Sequence, residues 1–264
     1  MKLPDGAKII TEDLYDALGC RKVIFLKQVR STNIVAKNLA RKGCSAAVIS
    51  AVQTAGKGSH GRKWESDADK GLYMSLATCG IREGGFTRCS SVAAVVAVFR
   101  SVRRVSGLCT EIKWPNDLMV GGRKLCGILS EAMWGDEGLE YLITGIGINV
   151  NQNKSDLPDS IREIATSIFI ESGKTCDMHT LAYDLIRTFD GIICEIETEG
   201  AEGVMKEYIS NCRTVGKEIS VSDCGKEIFR GRAEGIGAGG SLIVRSAGGL
   251  TQEFDFGEVT NREI

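Results

Sequence analysis

The chain is 264 residues long, 43% hydrophobic and 25% charged, an ordinary soluble-globular composition with room for one large unit and one small one. Its 33 Lys+Arg nearly cancel its 34 Asp+Glu, for a net charge of −1, which excludes a global basic field for DNA or an anionic membrane; no apolar run approaches a bilayer span. Ten cysteines without a CxxC pair, two histidines and no signal-peptide pattern exclude a zinc-type or multi-histidine centre and point to reduced thiols in the cytoplasm, so any metal is expected to arrive with a nucleotide.

In chain order, the β-favouring run Lys22–Val29 predicts a strand ending at Ser31-Thr32-Asn33. Such short oxygen-bearing side chains satisfy the free amides of a first helical turn. The helix follows over Ile34–Arg41 and stops at Gly43. The unbroken apolar run Ala46–Val52 reads as a buried strand. It opens into a polar, glycine-studded loop, Gln53–Glu65, before the strand Gly71–Thr78. Val92, Val95, Val96, Phe99 and Val102 have helical spacing within Ser91–Val105. Glu111–Trp114 and Asp117–Val120 are short strands, the second turning at Gly121-Gly122 into Arg123–Ala132. After the turn Gly135–Gly138, Leu139–Val150 is a further strand. Met178–Glu199 and Glu202–Tyr208 are helical in pattern. Glu218–Ser222, Glu227–Arg232 and Ser241–Val244 alternate with glycine-rich turns, as a small β-barrel does. The fold predicted is α+β: a mixed β-sheet with helices on one side over residues 1–212, and a small β-barrel over 213–264.

Four segments carry chemistry. In Gln53–Trp64, glycines let backbone amides approach an anion, with Lys57, Arg62 and Lys63 beside them and Trp64 as a stacking face. The loop lacks the Gly-Lys-Ser/Thr ending of a phosphate-binding Walker loop, and taken alone it reads as an ordinary surface loop. Lys113-Trp114-Pro115-Asn116-Asp117-Leu118 breaks a strand with proline and leaves two polar side chains to find partners. Lys124 opens the apolar strand Leu125–Leu129; a lone lysine there is ordinarily a solvated edge charge. In Gly145–Asn151, alternating glycines bare one strand face, for a ligand or for a close strand–helix contact.

In this order and at these separations, Ser31–Asn33, Gln53–Trp64, Lys113–Leu118, Arg123–Leu129 and Gly145–Asn151 resemble the catalytic domain of biotin–protein ligases. Gly231–Ile236, Gly240–Val244 and Gly257–Arg262 are similar to that family's SH3-like C-terminal domain, so the resemblance covers nearly everything from about residue 8. It implies a fold like class II aminoacyl-tRNA synthetases, and formation of biotinyl-5'-AMP from biotin and ATP with Mg2+. The acyl group then passes to a lysine of a biotin carboxyl carrier protein. By position it assigns Ser31, Thr32, Asn33, Gln53, Lys57, Gly58, Ser59, Gly127, Ile128 and Gly147 to biotin. Arg62, Lys63, Trp64, Asn116, Asn149 and Lys124 go to the nucleotide, and Lys124, Arg62, Asp117 and Lys113 to catalysis. A carboxylate will not approach a polyphosphate without cations between them, the task given to Lys124 and Arg62 with magnesium on the phosphates. Transfer needs a neutral lysine amine, whose free pKa is ~10.4; Asp117 is the acid in the right motif to act as base or orienting group.

The family commonly has arginine where this chain has Ser59, which is expected to loosen retention of the adenylate unless Lys57 or Arg62 compensates. Many bacterial relatives carry an N-terminal helix-turn-helix; only about thirty residues precede Ser31, so a ligase without DNA binding is expected. A lipoate–protein ligase of the same fold is the nearest alternative, and the polar partners Ser31, Thr32 and Gln53 weigh against it. A non-catalytic biotin sensor is the other, opposed by retention of Lys113, Asn116, Asp117 and Lys124. Pairing into a homodimer is open. The glycines and charges of the 53–65 loop suggest a segment unordered without ligand.

Overall fold

A computed structural model describes residues 7–8, 21–66, 70–80, 85–136, 138–255 and 257–261. Cys20, Glu137 of the predicted turn and Arg262 of the C-terminal motif lie outside them. The large sheet contains β1 (Ala7–Lys8), β2 (Lys22–Leu26), β3 (Ala46–Ser50), β4 (Gly71–Cys79), β5 (Glu111–Lys113), β6 (Asp117–Val120), β7 (Arg123–Gly135) and β8 (Gly138–Asn149), in the order β1-β2-β3-β4-β8-β7-β6-β5. Only β2 and β3 run parallel, joined through α1 (Thr32–Ala40); the other pairs are antiparallel.

Strands β3 and β4 are apolar at both parities, so both faces of the sheet need cover. Ala47, Ile49, Leu72, Met74 and Leu76 join a core with α2 (Gly85–Ser106) and α4 (Met178–Glu199). Ala46, Val48 and Ala77 face Ala36, Leu39 and Ala40 of α1 on the opposite side. The prediction of helices on one side therefore holds for α2, α4 and α5 (Glu202–Asn211), while α1 takes the other face. Helix α4 begins where Asp177 accepts from the amides of His179 and Thr180, and ends at Gly200; both signals are local, and its bounds match the pattern read from the sequence. A short helix α3 (Ile168–Ser172), capped by Ser167 and closed by Gly173 in the left-handed region, has too few residues to show a period and was not predicted.

The C-terminal strands are β9 (Glu218–Asp223), β10 (Lys226–Ile236), β11 (Leu242–Arg245), β12 (Thr251–Phe254) and β13 (Glu258–Asn261), in the antiparallel order β12-β11-β10-β9-β13. Among the described residues β12 and β13 do not pair with each other, so the predicted barrel is open. Strand β12 escaped prediction because only Phe254 of its four residues is buried. Ile219, Val221, Leu242, Val244 and Phe254 belong to the same hydrophobic cluster as the large sheet. Trp114, 1% exposed, donates its indole N–H to the Gly240 carbonyl at 2.9 Å, so this residue of the proline-broken strand is core.

Candidate active site

The 53–65 segment forms a small hairpin. Gly58 N–H donates to the Arg62 carbonyl (2.8 Å) and Trp64 N–H to the Gly56 carbonyl (3.0 Å), around a 3-10 turn at Ser59–Gly61. Gly61 takes φ +72°, a left-handed conformation that glycine adopts freely. A Cβ on Gly56 would lie 2.7 Å from the Trp64 carbonyl, so that glycine is required by close packing. The hairpin lays Trp64 across the glycine face of β7 and β8. A Cβ on Gly127 would be 2.9 Å from the ring, and one on Gly147 would clash with it. The Trp64 ring thus lies over the strand face that Gly147 leaves bare. The Trp64 indole N–H has no hydrogen-bond partner among the described residues.

Three cavities meet at this point, and Ser59 and Lys124 border all of them. The first, about 40 Å³, is a polar crevice holding all ten residues assigned to biotin. Its polar groups are tied together. Gln53 Oε1 accepts from the Thr32 amide (2.8 Å) and hydroxyl (3.1 Å), and the Ser75 hydroxyl lies 2.6 Å from both Thr32 Oγ1 and Asn33 Oδ1. The cap of α1 thus differs from the one expected, since Ser31 makes no side-chain cap bond and Gln53 supplies the oxygen from another segment. Asn33 also donates to Glu131 at 2.8 Å. Ser75, fully buried on β4, carries no motif and was missed by the sequence reading.

Lys124 owes its direction to a bulge: the β6–β7 register pairs Leu118 with Cys126 but Met119 with Lys124. Bulges of this kind re-aim a side chain. Its ammonium lies 2.7 Å from Asp117 Oδ1 and 5.6 Å from the Trp64 ring centre. Its peptide is clamped to a distant segment, with Lys124 N–H donating to the Ile164 carbonyl (2.8 Å) and Thr166 N–H to the Lys124 carbonyl (2.9 Å).

That segment walls the second cavity, about 380 Å³, with Leu157, Pro158, Ile161, Ile164 and Ala165 facing Arg62, Lys63 and Trp64. Asn149 borders it, but its Nδ2 is used by the Thr166 carbonyl at 2.9 Å. The third cavity, about 540 Å³, lies between Lys113, Asn116 and Asp117 on one side and Asp255 and Gly257–Thr260 on the other. Asn116 is found there rather than at the second cavity, and its Nδ2 closes the strand kink on the Ile128 carbonyl at 2.6 Å. Burial pushes the Lys113 ammonium below the ordinary lysine value, against the opposing pull of Asp117. Arg62 folds onto Ser59 (3.3 Å) and pairs with Glu258 of β13 at 2.7 Å.

The pattern of the biotin/lipoate A/B protein ligase family matches residues 25–149, and that of the biotin protein ligase C terminal domain matches residues 214–260. A bifunctional ligase/repressor BirA of Bacillus spizizenii is 30% identical over 86% of this chain and 70% of its own length. A biotin–[acetyl-CoA-carboxylase] ligase of Mycobacterium tuberculosis is 29% identical over 92% and 90%. Among solved structures, biotin protein ligase from Aquifex aeolicus in complex with biotin and ATP matches with a TM-score of 0.76 at 26% identity, over 92% of this chain and 99% of that one. The Leishmania major enzyme in complex with biotinyl-5-AMP matches with a TM-score of 0.63 at 25% identity, over 89% and 98%. The chain belongs to the biotin protein ligases of the biotin/lipoate A/B protein ligase family.

Proposed function

We propose that this chain is an ATP-dependent biotin–protein ligase. A biotin carboxylate oxygen attacks the α-phosphorus of ATP and pyrophosphate leaves. The ε-amine of a carrier-protein lysine then attacks the acyl carbon of biotinyl-5'-AMP, and AMP leaves with loss of a proton from the amine. The observation that carries this reading is the junction at Lys124, where one ammonium borders both a polar crevice and a half-apolar cavity. A cation at such a meeting point offsets the repulsion between a carboxylate and a polyphosphate.

In this reading Ser31, Thr32, Asn33 and Gln53 take the polar ring of biotin, with Lys57, Gly58, Ser59, Gly127, Ile128 and Gly147 around it. Ligand sites usually enclose about 300 Å³ or more, so a crevice of about 40 Å³ opens only when the Trp64 ring leaves the glycine groove. Arg62 and Lys63 face the phosphates and Trp64 the base. Asp117, 2.7 Å from Lys124, orients that ammonium in the first step and receives the proton of the acceptor amine in the second; Lys113, beside it, serves the same junction. Magnesium is read as part of the nucleotide substrate. Residues 1–212 form the biotin and ATP unit, and residues 213–264 form the C-terminal unit that meets it through Glu258. The acceptor is a biotin carboxyl carrier domain, and the reaction belongs in the cytoplasm. Among the described residues no helix is long and apolar enough to cross a membrane.

The test is exchange of labelled pyrophosphate into ATP, dependent on biotin, with lipoate and no acid in parallel. Exchange with biotin alone is expected. Exchange with lipoate alone transfers the protein to the sister activity, and biotin binding without exchange makes it a sensor.

A further inference from the structure

Asp117 meets the Lys124 ammonium directly, but the lysine is also held through its backbone. Lys124 N–H donates to the Ile164 carbonyl at 2.8 Å, and the Lys124 carbonyl accepts Thr166 N–H at 2.9 Å. The two bonds form an isolated parallel bridge to Ala165, outside the named strands. A bridge of two bonds opens easily unless other contacts hold it shut.

Those contacts converge on one oxygen. Glu171 Oε1 accepts from the Thr166 hydroxyl and, at 2.8 Å, from Arg123 Nη2. Thr166 is fully buried, and the Arg123 and Glu171 side chains are 30% and 15% exposed. The path closes on itself: Arg123 precedes Lys124, Lys124 holds Thr166 through the backbone, and both ends meet at Glu171. Glu171 is fixed in turn by α3, which Ser167 caps and which docks on the end of β8 where Phe169 N–H donates to the Val150 carbonyl at 2.8 Å.

We infer that Glu171 is a positioning residue for the adenylating step. It borders none of the three cavities; it acts through Thr166 and Arg123 on the Lys124 peptide, and so on where the ammonium stands. A misplacement of about 1 Å at a reacting group can cost about 10²-fold in rate. This inference rests on the role proposed above for Lys124.

Pyrophosphate exchange is measured on the wild type, Glu171→Ala, Glu171→Gln, Lys124→Ala and the double variant Lys124→Ala/Glu171→Ala. Glu171→Ala is expected to lower kcat about tenfold or more with both KM values within about threefold. Glu171→Gln, whose amide oxygen still accepts from both donors, should restore kcat to within about threefold of the wild type. In the Lys124→Ala background, Glu171→Ala should cost less than about twofold, because a residue that acts only through Lys124 has nothing left to position. An undiminished kcat in Glu171→Ala, or the same loss with and without Lys124, overturns the inference. Should Glu171→Ala not fold, Thr166→Val removes the hydroxyl from the same oxygen and is held to the same criteria. Amide hydrogen exchange keeps the two readings apart. A wild type without biotin-dependent pyrophosphate exchange sinks the ligation, while the Lys124 and Thr166 amides still decide the clamp. Exchange about tenfold faster in Glu171→Ala upholds it, and unchanged rates overturn it.

Discussion

The crevice beside Ser31 and the cavity beside Gln152 meet at Lys124 and share the 53–65 hairpin, yet the opposite wall of the first is regular structure and that of the second is irregular chain. In the crevice, Thr32, Asn33, Met74, Gly127 and Gly147 stand on α1, β4, β7 and β8, and Ser75, buried on β4, joins the Thr32 and Asn33 side chains. The cavity is walled by the hairpin on one side and residues 157–165 on the other, held through the two hydrogen bonds of the Lys124 peptide. Groups on strands hold their geometry without a ligand, which suits recognition of one fixed ring. Walls of loop can be re-spaced, which suits a substrate that enters as a triphosphate and remains as a monophosphate ester.

The largest effect separating the two should come from removing what they share. Lys124→Ala is expected to lower adenylate formation about 10²–10³-fold, the loss typical of one oriented donor, while biotin affinity changes by less than about threefold. Pyrophosphate exchange and a biotin titration read the two quantities, and parallel losses would mean that Lys124 serves ground-state biotin binding instead. Gly147→Ala attacks the crevice alone. Its Cβ would project into the groove that the Trp64 ring fills and that biotin takes once the ring has left, and overpacking of this kind costs about 1–3 kcal/mol; weaker biotin binding with unchanged ATP binding is expected. An unchanged biotin affinity would mean that biotin does not lie against Gly147.

Gln53→Leu removes the acceptor for the Thr32 amide and hydroxyl. The loss should be about 1 kcal/mol of folding stability, as for a helix cap, visible in the urea midpoint. The smallest effect concerns Lys113, whose ammonium burial pushes below the ordinary lysine value. The unfolded chain then holds the proton to higher pH than the folded one. Stability therefore rises with pH between the lowered folded value and the ordinary unfolded one. Lys113→Met should flatten that rise in a series of urea curves across the alkaline range, and an identical slope would show that Lys113 does not carry it.

Much of the crevice was legible before any fold was known. Gly127, Gly147 and Lys124 were picked out through the resemblance to biotin–protein ligases rather than by their local pattern, whereas Asp117–Val120 and Met178–Glu199 were bounded correctly because their stop signals are local. The cavity was far less so. Gln152 and Leu157–Ala165 sit in a stretch without period, and their places in the cavity wall arise from contacts with Lys124 and Asn149. Glu258 lies 196 residues from the Arg62 it pairs with, a separation at which no local pattern operates.

Composition, periodicity and short motifs were enough for the α+β class, the succession of most elements and the identity of the cationic and glycine-rich segments, because each of these depends on neighbours a few residues away. Which face α1 covers, that Gln53 rather than Ser31 caps it, that Trp64 fills the glycine groove and that Gln152 buries an unpaired acceptor were decided by tertiary packing. These depend on which distant groups arrive first at a limited number of donors, acceptors and apolar surfaces, and that competition is resolved only when the chain closes on itself.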